Sequence, residues 1–384
     1  MGRAALDGLL VADFTRVLAG PLCAQTLGDL GADVIKVERP GEGDDTRAWG
    51  PPFAGDTATY YLGLNRNKRS LVLDLGDSAD NALARELCAR ADVVLESFRP
   101  GTMDRFALGW DDVRALNPRA IYGSITAFGS GEEGRRLPGY DLLLQAMGGL
   151  MSVTGEAGAE GRPLKAGAAL VDMISGLYLT SAVLAALRVR EQAGTGQRVE
   201  VSLMDSVLSA LLNQGSGYLN AGSVPGRMGN RHPSIAPYET FPTSGGDVAI
   251  AVGNDTIFGR LCDALELPEL ASDARFATNA ARLENRDALA AAIEAALASG
   301  DASGWTARLS AAGVPAGPVN DIEAAYALAG QLGLEPVVDT DGVRSARSPM
   351  RLEATPVVAS RRPPRLGEHD AELRAWLSEP RERV

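Results

Sequence analysis

Short apolar runs alternate with helically spaced apolar residues along the first third of the chain. The first run covers residues 9–12, and leucines and a cysteine then recur at helical spacing between Leu18 and Leu30. Gly31 ends this helix, and a second apolar run follows at residues 34–37. A strand, a helix and a strand in this order predict a β-α-β unit, whose strands lie parallel with a right-handed crossover.

The same alternation continues and predicts an α/β fold built on an open, parallel, Rossmann-like sheet. Further strands are predicted at residues 70–75, 92–95, 120–126 and 198–203. Helical patterns lie between these strands, and another predicted helix covers residues 205–219.

A loop rich in Gly, Pro, Asn and Ser at residues 222–237 introduces a second, smaller unit of α+β type. This unit is predicted to hold a strand at residues 248–252 and Ala-rich helices at residues 282–298 and 303–311. We expect the Pro- and Arg-rich tail to return to the first unit. The predicted domains are residues 1–221 with 330–384, and residues 222–329.

Composition excludes several classes of function. The 384 residues include 37 Lys and Arg against 49 Asp and Glu, a formal net charge of −12. An acidic protein is a poor candidate for broad binding to nucleic acid or to anionic membranes. The cysteines form neither a CxxC pair nor a disulfide framework, and two histidines cannot build a histidine-rich metal site. With no targeting segment recognised and no apolar run long enough to span a bilayer, we expect a cytoplasmic protein without a metal or membrane contact.

The standard cofactor and nucleophile motifs are missing from the sequence. The turn after the first strand reads DFTRVLAGP and lacks the G-x-G-x-x-G pattern of dinucleotide sites. The sequence also contains no Walker loop and no G-x-S-x-G elbow. Nicotinamide and flavin chemistry are therefore disfavoured.

Several collinear segments carry a resemblance to a known family. They are LDGLLVADFTRVLAGPLCAQTLGDLGADVIKVERPGEGDDTR, LNRNKRSLVLDL, ESFRPGTMDRFALG, GYDLLLQAMGGLMSVTG, AALVDMISGLY, GVPAGPVNDI and the closing RLGEHDAEL. In this order they resemble the class III CoA-transferases, the CaiB/BaiF family, which includes formyl-CoA transferase, carnitine CoA-transferase and the alpha-methylacyl-CoA racemases. The resemblance starts near Leu6 and covers almost the whole chain.

The resemblance implies an architecture and a set of partners. It implies a CoA-binding α/β domain formed from both chain ends, a smaller domain after a linker, and a homodimer of two interlocked rings. The partners would be an acyl-CoA and a small carboxylic acid. Coenzyme A would enter as a thioester substrate, so no resident cofactor is expected.

The catalytic aspartate of the transferases stands at the start of a helix, and in this sequence that position falls on Asp172. Its carboxylate would attack the acyl-CoA thioester to give a mixed anhydride and CoA thiolate. The thiolate would then form an enzyme-CoA thioester, and the acceptor acid would complete the exchange through a second anhydride. A plain helix N-cap is the alternative role for this residue, and the resemblance favours the catalytic one.

The resemblance also assigns contacts with CoA to positions in four motifs. They are Arg39, Leu73, Asp74, Leu75, Ser97, Phe98, Arg99, Arg105, Tyr140 and Asp141. Arginine suits such positions because its guanidinium binds phosphate in a bidentate manner, although solvated surface charge is the common alternative. The sequence leaves three further cations without an assigned role: Arg66, Lys68 and Arg69. Leu18 stands where formyl-CoA transferase has glutamine, so a polar contact from that side chain is lost.

Tyr140 separates the transferase from the racemase interpretation. The racemases carry a histidine at this position as the base that removes the alpha proton, and a phenol is a poor base at neutral pH. The pair formed by Tyr140 and Asp141 instead resembles the Tyr-plus-carboxylate pair of formyl-CoA transferase. The sequence therefore predicts a CoA-transferase, with a racemase and a non-catalytic CoA-binding protein as alternatives.

The segment MGNRHPSIAPYETF, residues 228–241, replaces the glycine-rich loop of formyl-CoA transferase. It resembles the corresponding segment of dicarboxylate-using members such as succinyl-CoA-dependent transferases. Our hypothesis is that Asn230, Arg231 or His232 contacts the free carboxylate of an acid substrate. A simple linker loop is the alternative.

Overall fold

The computed structural model describes residues 4–158 and 160–380. The strands are β1 (Leu10–Asp13), β2 (Asp33–Glu38), β3 (Phe53–Ala54), β4 (Thr57–Ala58), β5 (Lys68–Val72), β6 (Val93–Glu96), β7 (Ile121–Thr126), β8 (Arg198–Ser202), β9 (Tyr238–Pro242), β10 (Asp247–Ala251), β11 (Ala316–Pro318), β12 (Val337–Thr340) and β13 (Val343–Ala346). The helices are α1 (Ala19–Asp29), α2 (Thr59–Leu62), α3 (Ser78–Arg90), α4 (Thr102–Arg105), α5 (Trp110–Leu116), α6 (Asp141–Met147), α7 (Leu150–Val153), α8 (Leu170–Ala193), α9 (Leu203–Ala210), α10 (Leu212–Ala221), α11 (Asp255–Ala264), α12 (Glu269–Ser272), α13 (Asn279–Glu284), α14 (Arg286–Leu297), α15 (Ala302–Ala311), α16 (Ile322–Gln331) and α17 (Asp370–Ser378). Short 3-10 turns cover Asp45–Arg47 and Gly134–Arg136.

A six-stranded parallel sheet in the order β5-β2-β1-β6-β7-β8 forms the centre of the first unit. This order confirms the predicted α/β fold with a parallel sheet. The chain winds outward in opposite directions from β1 and β6, so the order reverses between these two strands. In open α/β sheets, ligands bind beyond the carboxyl ends of the strands at such a switch point.

The predicted strands agree with the observed ones within about two residues except at the third. There the pattern extended the strand to Leu75, because the apolar residues Leu73 and Leu75 continue the run beyond the end of β5 at Val72. These leucines lie past the carboxyl end of the strand, where side chains of an α/β sheet are available to a ligand.

Helix α8 is the long core helix of the first unit. It packs against α1, β7 and β8, and a Cβ on Gly176 would meet the carbonyl oxygen of Ala19 at 2.5 Å, so the two helices approach closely. The sequence pattern predicted no segment able to span a bilayer. By its length and composition alone, however, α8 could cross a membrane, and its most apolar window has a mean hydropathy of 1.8. Because core helices of globular proteins meet the same criteria, this is weak support for a membrane span.

The second unit contains a three-stranded antiparallel sheet in the order β11-β10-β9. Helices α11, α14 and α15 contribute to its apolar core. The strand predicted at residues 248–252 is β10, and the helix predicted at 303–311 is α15. The helix predicted at 282–298 is divided at Asn285 into α13 and α14.

The described part of the chain divides into two compact units. The first comprises the described residues up to Met151, Lys165–Val224 and those from Glu335 to residue 380, and the second comprises the described residues of Ser152–Leu164 together with Pro225–Leu334. The predicted boundaries fall slightly earlier, at residues 221 and 329. The sequence did not predict that the segment before α8 belongs with the second unit.

The tail packs against the first unit at the edge strand β5. The Val72 amide donates a hydrogen bond of 2.8 Å to the Asp370 carboxylate, and the His369 amide donates one to the Ser70 carbonyl. Leu373 and Leu377 of α17 are buried in the core beneath that strand. The tail therefore covers an otherwise open sheet edge, which would be a site for unwanted strand pairing.

Candidate active site

Asp172 lies in the first turn of α8, as the sequence predicted. The residue that precedes this helix, Ala169, has no side chain that could cap it. Asp141 from the start of α6 supplies the cap instead, because one carboxylate oxygen accepts the amides of Val171 at 2.9 Å and Asp172 at 3.2 Å. Gln145 donates to the other carboxylate oxygen of Asp141 at 2.5 Å and so fixes it.

The carboxylate of Asp172 is buried without a hydrogen-bond donor. The residue is 9% exposed, and none of the described residues donates to its side-chain oxygens. Burial, and secondly the charge of Asp141, raise the pKa of Asp172 to about 7. A carboxylate stripped of its hydrogen-bonding shell is a stronger nucleophile once it is ionised.

Asp172 lines a cavity of about 270 Å³ at the carboxyl ends of β1, β6 and β7. The walls come from the loop after β1, the turn at Ser97–Pro100, the end of β7 and the segment that leads to Tyr140. This is the switch-point edge of the sheet, where the fold predicts a ligand.

A second cavity of about 220 Å³ lies beyond the ends of β2 and β5. Arg16 and Phe98 line both cavities, and the Arg16 guanidinium carbon lies 4.9 Å from the Phe98 ring centroid. The two cavities are therefore neighbours separated by this stacked pair. Together they form one site, and the Asp172 carboxylate lines its first cavity.

Most of the residues assigned to CoA lie around these two cavities. Those that line the first cavity are Ser97, Phe98, Arg99 and Tyr140. Those that line the second are Arg39, Leu73, Asp74, Leu75 and Phe98. The site thus unites four separate motifs, but contact of these residues with CoA stays a prediction.

Two assigned residues lie outside both cavities. Asp141 acts on the site through the start of α8, as described above, rather than by lining it. Arg105 is exposed on α4 and lines neither cavity.

Arg39 lines the second cavity but is exposed. Its guanidinium donates hydrogen bonds to the carboxylates of Glu42 at 2.6 Å and Asp45 at 2.8 Å.

The three cations that the sequence left without a role all form ion pairs. Lys68 is fully buried and bonds to Asp13 at 3.0 Å. Arg66 forms a buried pair with Asp29, whereas Arg69 pairs with Asp33 and Glu372. These contacts hold the fold together.

The loop that carries Asn230, Arg231 and His232 makes its contacts inside the second unit. Arg231 bonds to Glu239 at 2.9 Å and to Asp287 at 2.7 Å. Asn230 donates to the Thr240 hydroxyl at 2.7 Å. Nδ1 of His232 accepts a hydrogen bond from the Ser234 amide, and the centroids of the His232 and Tyr238 rings lie 5.2 Å apart. A contact of this loop with an acid substrate stays a prediction.

Sequence reasoning missed two residues near the nucleophile. Arg16 lies in the turn after β1, whose sequence served only to exclude a dinucleotide motif. An arginine in a turn at the switch point was the available signal for a ligand contact. Tyr60 had no signal in the sequence. Burial, and then the charges of Asp172 and Asp141, raise the pKa of Tyr60 to about 12, so its hydroxyl stays protonated at neutral pH.

We expect Arg16→Gln to raise KM for an acyl-CoA by roughly tenfold with little change in kcat, because a charged contact with phosphate is worth about 1.5–3 kcal/mol. Steady-state kinetics with varied acyl-CoA measures this. Arg114→Gln, an exposed substitution on α5 that lines neither cavity, is the matched control. An unchanged KM in Arg16→Gln would remove this residue from the binding site.

Comparison with known proteins gives one consistent family. The family model described as CoA-transferase family III matches residues 6–370. The succinate–glutarate CoA-transferase of Agrobacterium fabrum is 41% identical over 97% of this chain and 95% of its own length. The acetyl-CoA:oxalate CoA-transferase of Acetobacter aceti is 39% identical over 97% of this chain and 96% of its own length. The crystal structure of a CaiB/BaiF family protein from Brucella suis has a TM-score of 0.89 and 43% identity, covering 98% of this chain and all of that one.

Proposed function

This chain belongs to CoA-transferase family III, and we propose on that premise that it transfers coenzyme A from an acyl-CoA to a free carboxylic acid. The observation that carries the proposal is the Asp172 carboxylate, which is buried, lacks a hydrogen-bond donor and lines the cavity at the switch point. Covalent catalysis by a carboxylate of this kind divides one acyl transfer into easier steps.

The exchange proceeds in four substitutions at acyl carbons. A carboxylate oxygen of Asp172 attacks the thioester carbonyl and expels CoA thiolate, which leaves a mixed anhydride. The thiolate then attacks the aspartyl carbonyl, releasing the donor acid and forming a thioester between Asp172 and CoA. The acceptor carboxylate attacks that thioester carbonyl and expels CoA thiolate, which leaves a second anhydride. The thiolate finally attacks the acceptor acyl carbon, giving the new acyl-CoA and restoring the carboxylate.

One partner of the exchange is a dicarboxylate such as succinate. The names of the relatives from Agrobacterium fabrum and Acetobacter aceti, which specify succinate, glutarate and oxalate, support this choice. The test is exchange from succinyl-CoA to a panel of acids that includes glutarate, oxalate, malate and itaconate, read by mass spectrometry. Transfer to none of the acids would contradict the proposal, and unchanged acceptor preference in Arg231→Ala and His232→Ala would exclude the loop from acid recognition.

We expect the reaction to follow ionisation of Asp172. Because only the carboxylate attacks and its pKa is raised to about 7, kcat/KM for acyl-CoA should fall roughly tenfold per pH unit below 7 and level off above it. Asp141→Asn removes the neighbouring charge but keeps an oxygen for the two helix amides, so the acid limb should move to lower pH. An acid limb that stays in place in this variant would show that the Asp141 charge does not act on Asp172.

We further propose that the chain forms a homodimer, which the family resemblance implies to be two interlocked rings. Large apolar side chains are exposed along the first unit, among them Leu177 on α8 at 52%, Leu212 at 75% and Leu219 at 80% on α10. Large apolar side chains that a chain leaves exposed together can mark an interaction surface, and a second copy is the occupant we assign. Sedimentation velocity should give twice the chain mass of 40.1 kDa, and a monomer at micromolar concentration would contradict the dimer.

A further inference from the structure

A third cavity, of about 250 Å³, opens on the face of the sheet formed by β6, β7 and β8. Its buried surface includes Glu96 at the end of β6 and Ser124 and Thr126 on β7. Arg99, Pro100 and Thr126 also line the first cavity. The cavity is therefore a neighbour of the candidate active site and shares with it Arg99, which the resemblance assigns to CoA, but Asp172 does not line it.

Three arginines surround the mouth of this cavity: Arg99, Arg135 and Arg198. All three are exposed, and neither Arg99 nor Arg135 forms an ion pair with any of the described residues. A Cβ on Gly101 would lie 3.1 Å from a terminal nitrogen of Arg135, so this guanidinium packs against the turn that carries Arg99. Arg198 is already paired with Glu200 at 2.5 Å. Two guanidinium groups without acidic partners thus face one cavity.

Glu96 is a buried carboxyl with few partners. It is 7% exposed, one oxygen accepts the Phe98 amide at 2.8 Å, and the other bonds to the Ser124 hydroxyl. Burial raises the pKa of Glu96 to about 7. It therefore changes between a neutral acid and a carboxylate near neutral pH.

The protonation state of Glu96 decides what the floor of the cavity offers to a ligand. An ionised Glu96 takes the hydroxyl proton of Ser124 in a hydrogen bond and adds a negative charge. A neutral Glu96 donates its own proton to the Ser124 oxygen, which frees the Ser124 hydroxyl to donate into the cavity. The neutral floor and the two arginines together suit an oxyanion.

We propose that this cavity binds a small oxyanion, a carboxylate or a phosphate, and that Glu96 takes up one proton from solvent as the anion enters. Bidentate guanidinium contacts from Arg99 and Arg135 would hold the anion, and the Ser124 hydroxyl would donate to it from the floor. The site is separate from Asp172, so the proposal does not rest on the transfer reaction.

Other charges face Glu96 and bear on its protonation. Asp104 and Asp111 also line the cavity, and a Cβ on Gly109 would lie 2.2 Å from a carboxylate oxygen of Asp104, which places that carboxylate against the cavity wall. Arg198 lowers the pKa of Glu96 and Glu200 raises it, both less than burial does. An anion that enters adds another negative charge, which favours the protonated form.

The test is isothermal titration of the full-length protein with succinate and, separately, with inorganic phosphate. Measurements at pH 6, 7 and 8, in buffers of different ionisation enthalpy, give the affinity and the protons taken up. We expect the affinity of at least one anion to fall about tenfold per pH unit above pH 7. Binding of either anion supports the site, and identifies which oxyanion it takes, when substitutions in this cavity weaken it; binding that they leave unchanged belongs to the cavity that holds Asp172 and contradicts the proposal.

Substitutions confined to this cavity identify the site. Arg135→Gln should weaken binding at least about tenfold, whereas Arg136→Gln, on the same turn but outside the cavity, should leave it unchanged. Glu96→Gln should still bind but lose the pH dependence, because its amide imitates the neutral acid. Absence of binding at pH 6, wild-type affinity in Arg135→Gln, or a retained pH dependence in Glu96→Gln would each overturn the proposal.

Discussion

Asp172→Asn should reduce CoA transfer by at least roughly 10⁴-fold, which is the scale on which loss of a catalytic nucleophile acts. The amide has nearly the shape of the carboxylate but cannot attack a thioester. The variant should still bind acyl-CoA, since the Asp172 side chain accepts no hydrogen bond from the described residues whose loss would disturb the cavity. Its burial with a pKa raised to about 7 makes the neutral replacement compatible with folding.

Two measurements separate chemistry from structure in this variant. Exchange of label between an acyl-CoA and its free acid reports the reaction, and equilibrium binding of CoA with a melting curve reports the fold. Lost exchange with retained binding is the expected pair of results. Substantial exchange in Asp172→Asn would show that another group carries the acyl transfer.

Asp13→Asn should destabilise the first unit by about 3–5 kcal/mol at pH 7, the cost of leaving a buried charge without its partner. Asp13 and Lys68 are both fully buried at the switch-point edge, joined at 3.0 Å. The second buried lysine, Lys36, retains its pair with Asp44 at 2.8 Å. Lys68 would keep its hydrogen bonds to the Pro21 carbonyl and the Asn65 amide oxygen, but it would lose its contact with a carboxylate.

The pH dependence of this loss distinguishes charge from packing. The pKa of Lys68 is lowered to about 8 already in the presence of Asp13, chiefly by burial, and it should fall further in the variant. The destabilisation should therefore shrink between pH 7 and pH 9 as Lys68 loses its proton. Calorimetric melting at both pH values measures this. The control is Glu191→Gln, from the exposed Arg188–Glu191 pair, which should lower the free energy of unfolding by less than about 1 kcal/mol. A loss that is equal at both pH values would indicate packing instead.

The local sequence pattern was sufficient to predict the strands of the parallel sheet, because apolar runs and helical spacing indicate which residues are buried. The pattern failed where the fold depends on contacts between distant residues. Lys36 interrupts the run VIKVE, yet it is fully buried because Asp44 from the following loop pairs with it. The helix predicted at residues 205–219 is interrupted at Leu211, and the φ of 41° at the next residue, Leu212, lies in the left-handed region and has no signal in the sequence.

The candidate site was predictable only in part for the same reason. The position of Asp172 followed from family resemblance, since an aspartate at a helix start is ordinarily a cap. Asp141 accepts the amides at the start of α8, and Asp172 is left without a side-chain donor among the described residues; contact of Asp141 with CoA stays a prediction. Glu96 and Ser124 sit on neighbouring strands, and their pairing depends on sheet order rather than on any motif.

The central claim is a covalent bond between Asp172 and the substrate, and trapping with hydroxylamine tests it most directly. The protein is incubated with succinyl-CoA and hydroxylamine, digested, and mapped by mass spectrometry. We predict an aspartyl hydroxamate on the peptide that contains Asp172, formed as hydroxylamine displaces CoA from the enzyme thioester, and no such product without acyl-CoA. Active transfer with no hydroxamate at Asp172, or with the modification at another residue, would contradict the account.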